Sequence, residues 1–291
     1  MTGLPATVGL FGLGLIGHAV ALRLIAAGVD VCGYDPDAAA MARLSEIGGH
    51  PQDAKTVWQA DCILCAVFST DQLADLVAAA PPTNQKSIVS FSTCNPDLMP
   101  DIAVAATGKG YHLIESPISG TSADLAQGQA ILMVAGDAEI AKSLAGVFDA
   151  LARAHYYVGD IGNVNRAKLA INLVLGLSRA AVAEGVVFAK AVGLDPASFL
   201  DLALDSAAAS KVMASKGPKM VSRDFSALGR VTQCAKDFEL IYEQATQAGQ
   251  GLPMADRYLE VIRRSLAAGE GELDNSALFL EIERTQVPGD G

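Results

Sequence analysis

Two stretches of the sequence carry residue types that can do chemistry. In GDIGNVNRAKLAIN, Gly159 to Asn172, Lys168 and Asn172 stand four apart and would share one face of a helix. A lysine on the inner face of an apolar helix is costly unless it is paired or opens onto a cleft, where it can exchange a proton with a substrate oxygen. On spacing alone the plainer reading, a lysine snorkelling from a helix start, is favoured. In the second stretch, VGLFGLGLIGHAVALRLIAAG, Gly12, Leu13, Gly14, Leu15, Ile16 and Gly17 spell GxGxxG. Between a strand and a helix that pattern receives a dinucleotide. The first glycine makes a tight turn, the second admits a pyrophosphate to the backbone, and the third lets helix and strand pack closely. The free N–H groups of the helix start then face the diphosphate.

Asp35 ends the next strand, 18 residues beyond Gly17. A carboxylate there accepts hydrogen bonds from the adenosine ribose hydroxyls and repels the extra phosphate of NADP. Pro36 and Asp37 bring no arginine to offset that repulsion. The pattern favours NAD over NADP as the cofactor.

The elements needed to hold these residues are legible in the pattern. Ala6–Phe11 reads as an apolar strand, and the helix after it ends at Gly28, a C′ glycine. Strands at Asp30–Asp35, Cys62–Val67, Ser87–Phe91 and His112–Glu115 alternate with helices at Ala38–Ile47, Asp71–Ala79 and Pro96–Ala106. Further strands are expected at Ala130–Gly136 and His155–Asp160, with a helix over Ala138–Leu151 between them. Apolar strands alternating with helices of this length argue for βαβ units and a mostly parallel sheet covered on both faces. After Gly162 the composition shifts. Val164–Val192 is a long Ala- and Leu-rich helix, followed by helices at Val212–Met220, Thr232–Gln247 and Pro253–Ala268 with no convincing strand. The expected fold is α/β: a Rossmann-like doubly wound domain, residues 1–162, joined by a long helix to an all-α domain, residues 163–291.

Composition excludes several function classes. The net charge is −11 with no block of Lys or Arg, a poor match to nucleic acid or an anionic membrane surface. The apolar N-terminal run has no basic residue before Arg23, unlike a signal peptide, and its glycines break up a membrane span. Five cysteines, Cys32, Cys62, Cys65, Cys94 and Cys234, are odd in number and irregularly spaced. Cys62 and Cys65 form a CxxC inside an apolar strand and read as structural thiols, with no second pair or histidine spacing to make a metal site. A reducing cytoplasm fits this usage.

Several motifs in order resemble the β-hydroxyacid dehydrogenase family, which includes 3-hydroxyisobutyrate dehydrogenase, tartronate semialdehyde reductase and relatives of 6-phosphogluconate dehydrogenase. The resemblance runs from about residue 6 to residue 285. GLGLIGHAVALRL is similar to the family's GLGxMGxxMAxNL. FSTCNP, Phe91 to Pro96, resembles its Ser-Thr-x-x-Pro turn, which implies Thr93 near the nicotinamide, and Val67 and Phe68 join the cofactor set at the preceding strand end. SPISGT resembles the substrate loop, implying that Ser119, Gly120 and Thr121 cradle a substrate carboxylate with backbone N–H groups. GDIGNVNRAKLAIN resembles the catalytic segment, putting the general acid/base on Lys168 and a substrate-binding asparagine on Asn172. Lys236-Asp237 resembles a pair that closes over cofactor and substrate, and GELDNSAL resembles the C-terminal signature. Glu115 replaces the usual Asp, Thr121 the last glycine of the loop, Val164 a glycine and Ile171 an asparagine; these changes bear on the substrate more than the chemistry. The resemblance implies hydride transfer between nicotinamide and a small 3-hydroxy acid. Alternatives are a semialdehyde or imine reductase on the same scaffold, argued against for imines by Lys168, and a nucleotide-binding protein without catalysis. An apolar circumference on the long helix points to a homodimer or homotetramer.

Overall fold

The computed structural model describes residues 3–285. Its sheet contains β1 (Thr7–Phe11), β2 (Asp30–Tyr34), β3 (His50–Pro51), β4 (Cys62–Cys65), β5 (Lys86–Ser90), β6 (Tyr111–Glu115), β7 (Ile118–Ser119), β8 (Ile131–Ala135) and β9 (Ala154–Gly159). The helices among and after them are α1 (Leu15–Ala26), α2 (Ala38–Glu46), α3 (Ala54–Val57), α4 (Thr70–Ala79), α5 (Met99–Thr107), α6 (Ser122–Ala126), α7 (Ala138–Ser143) and α8 (Ala145–Leu151). Then follow α9 (Asn163–Ala191), α10 (Pro196–Leu204), α11 (Lys211–Ser222), α12 (Val231–Gln247), α13 (Pro253–Ala267), a 3-10 turn at Asn275–Ala277 and α14 (Leu278–Arg284).

The first six strands are parallel in the order β3-β2-β1-β4-β5-β6. The order reverses between β1 and β4, so the crevice beyond their C-terminal ends is where a doubly wound sheet takes its ligand. Side chains alternate between two cores. Val8, Leu10, Cys62, Leu64, Val89 and Ile114 pack on one face, and Phe11, Ile63, Cys65, Ile88 and Leu113 on the other. That period of two explains the unbroken apolar runs: every residue has a core to enter. It also disposes of the CxxC, because Cys62 and Cys65 face opposite sides of the sheet.

The structure departs from the sequence reading in places. The sheet is mixed at one edge, since β8 runs antiparallel to β6 and β7. The helix expected over Ala138–Leu151 is two helices parted at Leu144, where the Ser143 hydroxyl donates back to the Ile140 carbonyl at 2.7 Å and bends the chain. α5 begins at Met99 rather than Pro96 because the Asn95 side chain accepts from the Asp97 N–H at 3.0 Å and holds a turn. The short elements β3, α3, β7, α6 and α10 carry too few residues, or too little periodicity, to be read beforehand.

Contacts divide the chain into two units at Lys168/Leu169, inside α9. Among the described residues the second unit has helices, plus an isolated bridge between Arg230 and Asp274. Leu169, Phe238, Tyr258, Leu259 and Ile262 form one of its cores; Val182, Val186, Leu200, Met213 and Phe279 form another. By length and composition α9 could cross a membrane. In the structure Arg179 on α9 donates to the Tyr258 hydroxyl at 2.8 Å, and Gly176 gives room to the Phe238 ring, which a Cβ would meet at 2.4 Å.

Candidate active site

The loop from β1 to α1 meets the three requirements of a diphosphate cradle, one glycine at a time. Gly12 has φ +84°, and a Cβ there would sit 2.5 Å from the Ala66 carbonyl oxygen. A Cβ on Gly17 would lie 1.9 Å from the Gly12 oxygen, so helix and strand close only on a glycine. A Cβ on Gly14 would meet nothing within 4 Å, which leaves the space a pyrophosphate takes. Side chains of Asp37, Asp53, Ser69, Thr121 and Asp137 cap α2, α3, α4, α6 and α7, whereas the Gly14 cap of α1 offers none. The start of α1, with Leu15, Ile16 and Gly17, thus keeps its N–H groups for a ligand. These residues fit a bound dinucleotide.

Asp35 follows β2 beside this loop. Its carboxylate accepts from the Leu13 N–H at 2.7 Å and from the Asp37 N–H at 2.8 Å. The side chain expected to meet a ribose is therefore also the strut that fixes the glycine turn. Arg43, which sequence reasoning passed over, lies 3.9 Å from Asp37 on α2.

The loops beyond β4 and β5 are stitched together. The Val67 carbonyl accepts from the Ser92 hydroxyl at 2.7 Å, the Phe68 N–H donates to the Gln72 side chain at 2.8 Å, and the Asn95 N–H donates to Thr70 Oγ1 at 2.8 Å. Thr93 is buried between these ties. The start of α9 joins the same loop: Asn165 Oδ1 accepts from the Cys94 N–H at 2.8 Å, and Arg166 pairs with Asp97 at 2.9 Å. Lys168, the sixth residue of α9, is buried at 8% exposure.

The loop after β7 differs in one respect from what the sequence suggested. The Thr121 N–H donates to Asp124 Oδ2 at 2.7 Å, and the Thr121 hydroxyl receives the Asp124 N–H in return, a capping box on α6. That N–H is therefore bonded to the Asp124 carboxylate in this structure. Ser119 ends β7, and Gly120 at φ +141° makes the turn. Thr121 stands where the resemblance leads one to expect a glycine, and the Thr-x-x-Asp spacing was the unread signal of this cap.

In the second unit Asn172 and Lys236 meet on one carboxylate. Asp237 accepts from Asn172 Nδ2 at 2.8 Å and from Gln233 Nε2 at 3.1 Å, and Lys236 Nζ lies 3.2 Å away. Asp237 was read in the sequence only as the neighbour of Lys236, and Gln233 was not among the candidates. Their signal was the i, i+4 spacing along α12.

A family model described as the NAD binding domain of 6-phosphogluconate dehydrogenase matches residues 7–159, and one described as NAD-binding of NADP-dependent 3-hydroxyisobutyrate dehydrogenase matches residues 162–281. The chain belongs to the β-hydroxyacid dehydrogenase family. Glyoxylate/succinic semialdehyde reductase 1 of Arabidopsis thaliana is 27% identical over 95% of this chain and 98% of its own length. The crystal structure of 3-hydroxyisobutyrate dehydrogenase from Salmonella typhimurium matches with a TM-score of 0.85 and 25% identity, over 94% of this chain and 99% of that one. Cytokine-like nuclear factor N-PAC of Drosophila melanogaster is 26% identical over 94% of this chain, which spans only 47% of that relative. Within this family the chain is an NAD(P)-dependent hydroxyacid dehydrogenase or reductase.

Proposed function

We propose that the protein moves hydride between NAD and the hydroxyl-bearing carbon of a small 3-hydroxy acid such as 3-hydroxyisobutyrate, with Lys168 as general acid/base. The observation that carries this is Lys168 itself: a buried lysine on a helix whose start is bonded to the loop holding Thr93. The bound nicotinamide supplies hydride acceptance or donation at its ring. Lys168 holds the substrate oxygen, releasing a proton to it in reduction and taking one in oxidation. Asn172, one turn on, orients the substrate without adding charge. Ser119 and Gly120 receive the substrate carboxylate, with Thr121 shaping the loop through its cap. Lys236, beside Asp237, is the residue that the resemblance assigns to the cofactor. Asp35 favours NAD, and Arg43 near Asp37 is the feature that would favour NADP.

The test is a panel of 3-hydroxyisobutyrate, succinic semialdehyde and glyoxylate with each cofactor, followed by nicotinamide absorbance. Lys168→Ala is expected to lower kcat by roughly 100-fold or more while NADH affinity stays unchanged. Full activity in that variant removes the mechanism. A second reading, nucleotide binding without catalysis, is kept because one similar protein, N-PAC, is named as a nuclear factor and not as an enzyme; tight NADH binding with no turnover across the panel would favour it.

The protein is also proposed to be a cytoplasmic homodimer or homotetramer. Val174, Ala181 and Phe188 recur every seven residues along α9 and are exposed, Val174 by 63% and Phe188 by 68%. Of the three, Ala181 also lines a groove of about 530 Å³ between α9, α10 and α11. An apolar stripe of that length needs a cover. A monomer at every concentration in light scattering rejects the assembly.

A further inference from the structure

We propose that Glu115 and Asn165 form a spacer that sets the position of the Lys168 helix against the cofactor loop, an inference that rests on the dehydrogenase reading above. Glu115 ends β6 with no exposed surface. Its Oε2 accepts from the Gly162 N–H at 2.6 Å, and its Oε1 accepts from Asn165 Nδ2 at 2.5 Å. Asn165, only 1% exposed, passes the connection on: its Oδ1 accepts from the Cys94 N–H at 2.8 Å, next to Thr93. One carboxylate and one amide thereby link the end of a central strand, the first turn of α9 and the loop that faces the nicotinamide. Lys168 lies three residues beyond Asn165, on the same helix.

Two apolar side chains would join these elements without burying a carboxylate. Hydrogen bonds do something apolar contact does not: they fix distance and direction. Both Asn165 functions are spent, its amide on the strand and its carbonyl on the loop, so the helix cannot slide along either partner without breaking a buried bond. The reach between strand and helix is set by two methylenes from Glu115 and one from Asn165. Transferring one methylene from residue 115 to residue 165 preserves that total, whereas changing either residue alone makes the span too short or too long. Glu115 and Asn165 are positioning residues, acting through Lys168 and the loop.

The experiment compares the wild type with Glu115→Asp, Asn165→Gln and the double variant. It reads kcat and KM with 3-hydroxyisobutyrate, melting temperature, and the affinities for NADH and for ADP-ribose, which lacks nicotinamide. Each single variant is expected to lose roughly 10- to 100-fold in kcat with little change in KM. Each should also weaken NADH against ADP-ribose, and the double variant should recover both. Single variants that keep wild-type kcat, whatever their melting temperature, overturn the proposal. So do a double variant no better than the singles, and singles that fail to fold while the double folds, which would make the pair a folding element. A wild type inactive with the whole panel defeats the dehydrogenase reading instead. The spacer is then judged by the NADH to ADP-ribose ratio alone, and an unchanged ratio in the singles overturns it.

Discussion

Arg179 is buried and bonded to a hydroxyl and a thiol. Its Nη1 donates to the Tyr258 hydroxyl at 2.8 Å and approaches Cys234 Sγ at 3.5 Å, while its Nε has no hydrogen-bond partner among the described residues. Tyr258→Phe therefore takes the better acceptor from a buried cation. It should cost about 1–3 kcal/mol in urea unfolding, whereas Tyr242→Phe on the exposed side of α12 should stay within about 0.5 kcal/mol. Equal effects would mean the Arg179 bond contributes nothing. Glu115 makes a pH prediction. Burial pushes its pKa above the ordinary 4.5, and the Gly162 N–H, Asn165 and Arg166 offset only part of that. A carboxyl that binds its proton more tightly in the folded state loses stability as pH rises from the unfolded pKa through the folded one. Glu115→Gln should therefore show a flatter stability profile just above pH 4.5 than the wild type. Parallel profiles from urea melts would rule this out.

At the level of elements, the glycine loop separates folding from binding. Gly17→Ala places a Cβ 1.9 Å from a backbone oxygen and should destabilise the whole nucleotide-binding unit. Gly14→Ala points into open space, so its melting temperature should match the wild type while NADH affinity falls by more than about tenfold as the methyl meets the pyrophosphate. Calorimetry and fluorescence titration of both variants read the difference; loss of stability in Gly14→Ala would contradict it. The C-terminal signature has a comparable structural role. Asp274 has no exposed surface and accepts from Lys216 at 2.8 Å, from the Leu228 N–H at 2.9 Å and from the Ser276 hydroxyl at 2.7 Å. Burial raises its pKa, yet Lys216 and these donors outweigh burial and hold it below the ordinary value. Asp274→Asn strands Lys216 in the interior and should cost about 3–5 kcal/mol in urea unfolding; a loss under about 1 kcal/mol would show the pair to be dispensable.

Across the whole molecule, legibility followed locality. The strand–glycine–helix entry was readable because each glycine answers a steric demand within a few residues. Its three roles appear in the structure as a positive φ, an open space and a close approach. The helix over Asn163–Ala191 was readable, to within a residue at each end, from its long Ala- and Leu-rich run. What escaped were bonds between distant segments: Glu115 to Asn165 spans 50 residues, and Asn172 to Asp237 spans 65. Nothing local distinguishes a buried carboxylate that orders a helix from one that does chemistry. The Thr121 cap escaped for the opposite reason. It is local, but the resemblance directed the reading toward a substrate and away from an ordinary helix N-cap.

The two-faced sheet has a practical consequence for following this protein in solution. Cys62, Cys65, Cys94 and Cys234 are buried, and Cys32 is half-buried on β2. The Cys62 thiol is pushed up to about 12 by burial, so it reacts only when the strand around it opens. A thiol reagent should therefore modify Cys32 first in the native protein and all five cysteines after denaturation. Because Cys62 and Cys65 belong to opposite cores, comparing their modification rates by mass spectrometry would time the opening of each face separately. The sheet thus carries its own pair of clocks, one per layer.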